Sequence, residues 1–186
     1  MRIRQRFISF LGFTLLFVCG RSAQAQSAAA PPKAPEVSAA DVASVDSIID
    51  ALYDVISGPA GKSRDWQRMR SLFAPGARLV RISPNPQGGF WSRTLSVEDY
   101  ISSADSFFKA NGFLEKEVHR QTESFGHLVE IFSTYESRHA PDDRKLFARG
   151  INSIQLMNDG QRWWVVTIMW EEESAEIPIP AKYLPK

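Results

Sequence analysis

The stretch from 114 to 171 constrains the fold of this chain more than any other. The runs LEKEVHRQTESFGHLVEIFSTYESRH and KLFARGINSIQLMNDGQRWWVVTIMW are rich in β-branched and aromatic residues and are broken by turn residues. They read as three long strands joined by tight turns. Side chains on a strand alternate between two faces. Both faces of this sheet come out too apolar for either to stand in water, so each needs a cover.

The N-terminal helices can supply one cover. Asp41 or Ser38 is placed to cap a helix whose apolar positions, Val42, Val45, Ile48, Ile49, Leu52 and Ile56, recur at three- and four-residue spacing up to Gly58-Pro59. A second short helix runs from Asp65 to Phe73 and is stopped by Pro75-Gly76. Ala77 to Ile82 and Phe90 to Leu95 read as short strands around the loop SPNPQGG. Ser96, with Asp99 three residues on, forms a capping-box pattern and opens a third helix that Asn111-Gly112 closes. The expected order is helix, helix, strand, strand, helix, then three long strands. Strands in a run beside segregated helices make an α+β domain.

Ahead of this domain the chain carries an export pattern. Arg2, Arg4 and Arg6 precede an apolar run from Phe7 to Val18, followed by Ala23-Gln24-Ala25 as a small-x-small cleavage site. The run is too short to span a membrane. Residues 1–25 are therefore expected to be a signal peptide, with no stable membrane span after cleavage and with the periplasm or the exterior as destination. Lipidation at Cys19 is disfavoured because Val18 stands where a small residue is wanted. Residues 26–40, rich in Ala and Pro, read as a flexible tether, 41–173 as the folded domain, and 174–186 as an extended tail. Cleavage removes four arginines and no acid, which leaves 18 basic against 21 acidic residues, a net of −3. No basic patch argues for nucleic acid. It also removes the one cysteine. No thiol nucleophile or cysteine metal site is then available, and the three histidines lack ligand spacing, so neither metal nor cofactor is expected.

The element order, the segment LFAPGARLV and the final hairpin INSIQLMNDGQRWWVVTIMW resemble the nuclear transport factor 2-like superfamily, in particular its bacterial SnoaL-like branch. The resemblance covers about 41 to 171. It implies a cone-shaped, curved mixed sheet wrapped around helices to leave one pocket, and dimers formed through the outer sheet face. The superfamily includes ketosteroid isomerases, dehydratases, polyketide cyclases, epoxide hydrolases and non-enzymatic modules, so the fold does not fix the function. Tyr53, on the first helix, is the only stand-in for the isomerases' tyrosine. Their paired acids have no match.

Turn chemistry gives a register. Asp159-Gly160 is taken as a two-residue hairpin turn, which sets Asn152 opposite Thr167. Phe125-Gly126 is taken as a second, and the middle connection is assumed to set Tyr135 opposite Arg149. On that register His119, Gln121, Glu130, Phe132, Asn152, Ile154, Trp163, Thr167 and Met169 share the concave face. His119 and Glu130 then stand diagonally, as an acid–base pair would. With Tyr53 these residues form the candidate pocket for a small apolar or amphipathic molecule. The opposite face carries Tyr135, Arg149, Ile151, Trp164, Val166, Ile168 and Trp170, and is expected to meet a second copy of the chain. Three functions are compatible with this reading: a ligand-binding protein, a cofactor-independent isomerase, dehydratase or hydrolase, and a dimeric module with a vestigial pocket.

Overall fold

The computed structural model describes residues 38–186, so the proposed signal peptide and most of the tether lie outside the described residues. A 3-10 turn, Ala39–Val42, leads into helix α1, Val45–Ile56. Ser44, and neither Ser38 nor Asp41, caps α1: its hydroxyl accepts from the Ser47 amide at 3.0 Å while the Ser47 hydroxyl accepts from the Ser44 amide. Helix α2, Trp66–Leu72, is capped by Asp65. The reciprocal Ser96–Asp99 box opens helix α3, Val97–Asn111, and Gly112 closes it at a φ of 69° that a side chain would resist.

The strands are β1, Phe73–Pro84; β2, Phe90–Leu95; β3, Leu114–Phe125; β4, Leu128–Arg138; β5, Ala148–Asn158; and β6, Trp163–Glu172. They form one curved, mixed sheet in the order β2-β1-β6-β5-β4-β3, in which β1 runs parallel to β6 and the other neighbours are antiparallel. The C-terminal third therefore supplies four long strands and not three. The connection from 139 to 147 reverses the chain fully, so 128–138 and 148–158 are separate partners. Helices α1 to α3 close the concave face. Ile48, Ile49 and Leu72 meet Ile131, Ile154, Leu156 and Val165 there with almost no surface left to water. Burial of that kind contributes roughly 1.5–3 kcal/mol per large apolar side chain.

Three departures from the expected register decide what faces the cone: an irregularity in β3 between Glu117 and His119, which turns Glu115 and Glu117 inward and His119 and Gln121 outward, the pairing of β4 with β5, and an irregularity in β5–β6. The tip of β3–β4 is Gly126-His127, with Phe125 opposite Leu128. The β4–β5 connection sets Tyr135 opposite Gly150, one residue away from the assumed partner Arg149. A one-residue slip exchanges the faces of everything beyond it. His119, Gln121, Leu128, Glu130, Phe132 and Thr134 do share a face, but it is the outer one. The third departure is an irregularity in β5–β6: Leu156 pairs with Val165 while Gln155 pairs with Thr167, so Val166 is extra. Past it, Thr167 and Met169 point out while Ile168 and Trp170 point in. The Asp159-Gly160 loop is also longer than two residues, because Asn158 pairs with Trp163.

The tail lies on the outer face. Thr134 Oγ1 donates to the Tyr183 carbonyl at 2.6 Å, Gln121 Nε2 donates to the Lys182 carbonyl at 3.1 Å, and the Phe132 and Tyr183 rings are 5.5 Å apart.

Candidate functional site

The concave side of the sheet and the helices enclose a cavity of about 560 Å³. Its wall is mainly apolar. Leu52 and Ile56 come from α1, Tyr100, Ala104 and Phe108 from α3, and Ile154, Ile168 and Trp170 from the sheet. Tyr100 meets the edge of Trp170 at 6.2 Å, and Phe108 stacks on Phe113 at 4.3 Å, so the aromatic wall is braced on both sides.

A polar row crosses the floor. Asn152 Nδ2 donates to Tyr53 Oη at 3.1 Å, Tyr53 Oη meets Ser133 Oγ at 2.6 Å, and Ser133 Oγ donates to Glu117 Oε1 at 2.5 Å. Glu117 accepts in turn from Arg120, at 2.6 Å from Nη2, and Arg120 reaches Asp46 on α1. Because the Ser133 proton goes to Glu117, the Tyr53 proton goes to Ser133. Tyr53 therefore has no donor left for a ligand, and its hydroxyl is held well above the ordinary phenol value, first by burial and then by the nearby Glu115. It locks α1 to the sheet.

Glu115, near the start of β3, is the group in the cavity that sequence reasoning missed. Burial pushes its carboxyl up to about 8, against an opposing hydrogen bond from Asn152, and the negative charge of Glu172 adds to the rise. At neutral pH it is a neutral acid, able to donate. Tyr135 and Tyr100 also line the cavity, and their hydroxyls are raised chiefly by burial and then by Glu115. Tyr135 can lie where it does because Gly150 stands opposite. A Cβ there would come within 2.6 Å of Tyr135 Oη and 2.3 Å of the Glu171 carbonyl, closer than real atoms pack. Glycine inside a strand often marks such a close approach, and this was the available signal for the register of β4 on β5.

Of the sequence-derived pocket residues, Tyr53, Asn152 and Ile154 line the cavity. Trp163 packs against the core instead. Gln121, Phe132, Thr167 and Met169 stand on the outer face, through the register slip for the first pair and the β5–β6 irregularity for the second. His119 and Glu130 do not form a pair there either. His119 lies opposite Thr134 and Glu130 opposite Glu123, several positions along the ladder, and the buried His119 Nε2 has no hydrogen-bond partner. Three of the seven residues expected on a dimer face, Tyr135, Ile168 and Trp170, line the cavity. Of the other four, Ile151 borders a groove of about 220 Å³ under the tail, Arg149 pairs with Glu173 at 2.7 Å, Trp164 is covered by the Arg162 guanidinium at 3.5 Å, and Val166 is the extra residue of β6.

No family model matches this chain, and no curated protein does. Solved structures do resemble it. A nuclear transport factor 2-like protein of unknown function from Pseudomonas putida superposes with a TM-score of 0.53 at 10% identity, over 78% of this chain and 96% of that one. A cystatin-like protein of unknown function from Nostoc punctiforme gives 0.52 at 8% identity over 70% and 90%, and an uncharacterised one from Caulobacter vibrioides 0.50 at 12% over 71% and 89%. The described residues have the nuclear transport factor 2-like, cystatin-like fold, an α+β cone around a cavity.

Proposed function

We propose that this protein binds a small, largely apolar molecule inside the cone. The observation that supports this best is the cavity itself. Its volume of about 560 Å³ lies within the range of roughly 300–1,000 Å³ typical of ligand sites, and a mainly apolar wall with few convergent polar groups is how such sites are built. Glu115, Tyr135 and Tyr100 offer donors, so the ligand carries an acceptor oxygen. Ala104 gives the direct test, because it faces the cavity from the middle of α3 and a tryptophan there would occupy the space without touching the polar row. Binding of 1-decanol, followed by tryptophan fluorescence, is expected for the wild type and to fall at least about tenfold in Ala104→Trp, with the melting cooperativity retained. Equal binding by both proteins would place the ligand elsewhere and defeat the reading.

A second reading, cofactor-independent acid–base catalysis, rests on one observation: Glu115 is a neutral acid at neutral pH while Glu172, at the same cavity, is ion-paired to Arg81 at 3.0 Å. A neutral acid and an ion-paired carboxylate at one cavity supply a proton donor and an acceptor, the two parts of acid–base work. In that reading Glu115 takes the part that His119 and Glu130 cannot, since neither reaches the cavity.

Export, pairing and the SnoaL-like assignment belong to the same proposal. Exposed Leu128, Met157 and Met169 on the outer face support contact with a second copy, beside the tail that covers part of it. Native mass spectrometry of protein purified after export reads cleavage and pairing together. The expected species is a dimer of chains beginning at Gln26, with any co-purified ligand seen as added mass. Monomers that retain Cys19 would overturn both export cleavage and pairing.

A further inference from the structure

The mouth of the cavity is cationic and rimmed with aromatics, although its interior is mainly apolar. Along the β1–β2 pair the cross-strand partners that line the cavity change from Leu79 and Leu95, at the buried end, to Arg81 and Arg93, and then to Ser83 and Trp91. Two arginines directly opposite one another on an antiparallel pair repel, and so destabilise the hairpin unless an anion is shared between them. The Glu172 carboxylate accepts from Arg81 Nη2 at 3.0 Å and answers one of the two charges. Among the described residues no carboxylate lies within 4 Å of Arg93. Trp91, two residues from Arg93, lines the same cavity as Phe107 and Phe147, and the three remain 60%, 40% and 48% exposed, which gives the cavity an exposed apolar rim.

We infer that the ligand is an amphipathic anion, with its apolar body in the cone and a carboxylate- or phosphate-type head group at Arg81 and Arg93. The inference rests on the binding reading above and adds the charge and orientation of the ligand to it. Glu172 answers Arg81 directly, whereas Asp99, at the start of α3, feels the Arg93 charge without pairing with it. Glu115, inside the cavity, is pushed up to about 8 by burial, so at pH 7 it is mostly protonated and adds little repulsion to the incoming anion. Arginine suits the task because its planar fork can bind both oxygens of such a head group. The same chemistry is presented by a free amphiphile and by an anionic lipid in a bilayer.

The probes are decanoate, 1-decanol and vesicles of phosphatidylglycerol. Calorimetry at pH 7 is expected to show decanoate binding about tenfold tighter than 1-decanol, the effect of one charge-assisted hydrogen-bonded contact. Arg93→Gln should bring decanoate down to the level of 1-decanol while leaving 1-decanol unchanged. Arg78→Gln removes a positive charge outside the cavity, since Arg78 is bound to the Gly76 and Ala77 carbonyls, and should preserve the preference. Co-sedimentation with the vesicles, lost in Arg93→Gln, would identify a membrane lipid as the source; decanoate binding without it identifies a free amphiphile. If the wild type binds both chains equally, or Arg93→Gln keeps the preference, the anion site is wrong while the cavity reading stands. If neither chain binds, both fail.

Discussion

Between about pH 4.5 and about pH 8 the protein is expected to lose stability steadily, and Glu115→Gln is expected to remove that loss. The Glu115 carboxyl is held above its unfolded value because folding places it in a poorly hydrated cavity near the charge of Glu172. Within this window the folded state keeps the proton and the unfolded state has released it. The unfolded state therefore binds fewer protons, and stability falls as pH rises, by at most about 1.4 kcal/mol per pH unit. Below the window both states are protonated, and above it both are ionised, so the dependence flattens at each end. Glu115 remains only half-buried, open to the cavity, which makes that slope an upper limit. Glu98 and Glu173 are shifted the other way, by hydrogen bonds from Arg70 and Arg149, and their contributions are lost below the window and not within it. Glutamine keeps the shape and the Asn152 contact while abolishing ionisation. Urea unfolding of both proteins at several pH values measures the difference, and identical slopes would refute the assignment of Glu115 as a neutral acid.

Arg64→Ala is expected to cost about 3 kcal/mol, the range found when a buried charged donor that serves several partners is removed. Arg64 is 8% exposed and donates to the Gly58 carbonyl at 2.6 Å, the Lys62 carbonyl at 2.7 Å and the Ile56 carbonyl at 2.8 Å. Its guanidinium thus answers the end of α1, where carbonyls have no helical partner and the helix dipole favours a cation. Gly58 also pairs with Phe113, immediately before β3, so the same arginine fixes the strand that carries Glu115. Truncation leaves those carbonyls buried and unpaired and opens a hole beside Phe108, which the guanidinium overlies at 5.8 Å. Arg64→Lys should recover less than half of the loss, because an ammonium cannot fork to the same set of carbonyls. The urea midpoint at constant slope reads the change. A loss for Arg64→Ala under about 0.5 kcal/mol, the level of an ordinary surface substitution, would show that water replaces the guanidinium without penalty.

The sequence by itself determined whatever depends on neighbours along the chain. The three- and four-residue spacing of Ile48, Ile49 and Leu52 defined α1, the Ser96–Asp99 pattern defined the start of α3, and alternation defined the long strands and the α+β class. Those signals are local, and so is the physics that produces them. It also brought Tyr53, Asn152 and Ile154 to the cavity, because they lie on α1 and on β5, whose phase the final hairpin carried correctly as far as Val165. The tertiary structure alone decided which face of β3 and β4 joins which face of β5. That relation passes through one connection, 139–147, whose length does not specify a register, and a single residue of slip there moved His119 and Glu130 out and Tyr135 in. The irregularity at Val166 did the same for Ile168 and Trp170. Nothing local in Leu-Glu-Lys-Glu distinguishes Glu115 from its neighbours, and its inward face depends on the irregularity in β3 between Glu117 and His119. Its carboxyl becomes an acid only when residues distant in the chain, from α1, β5 and β6, remove the water around it.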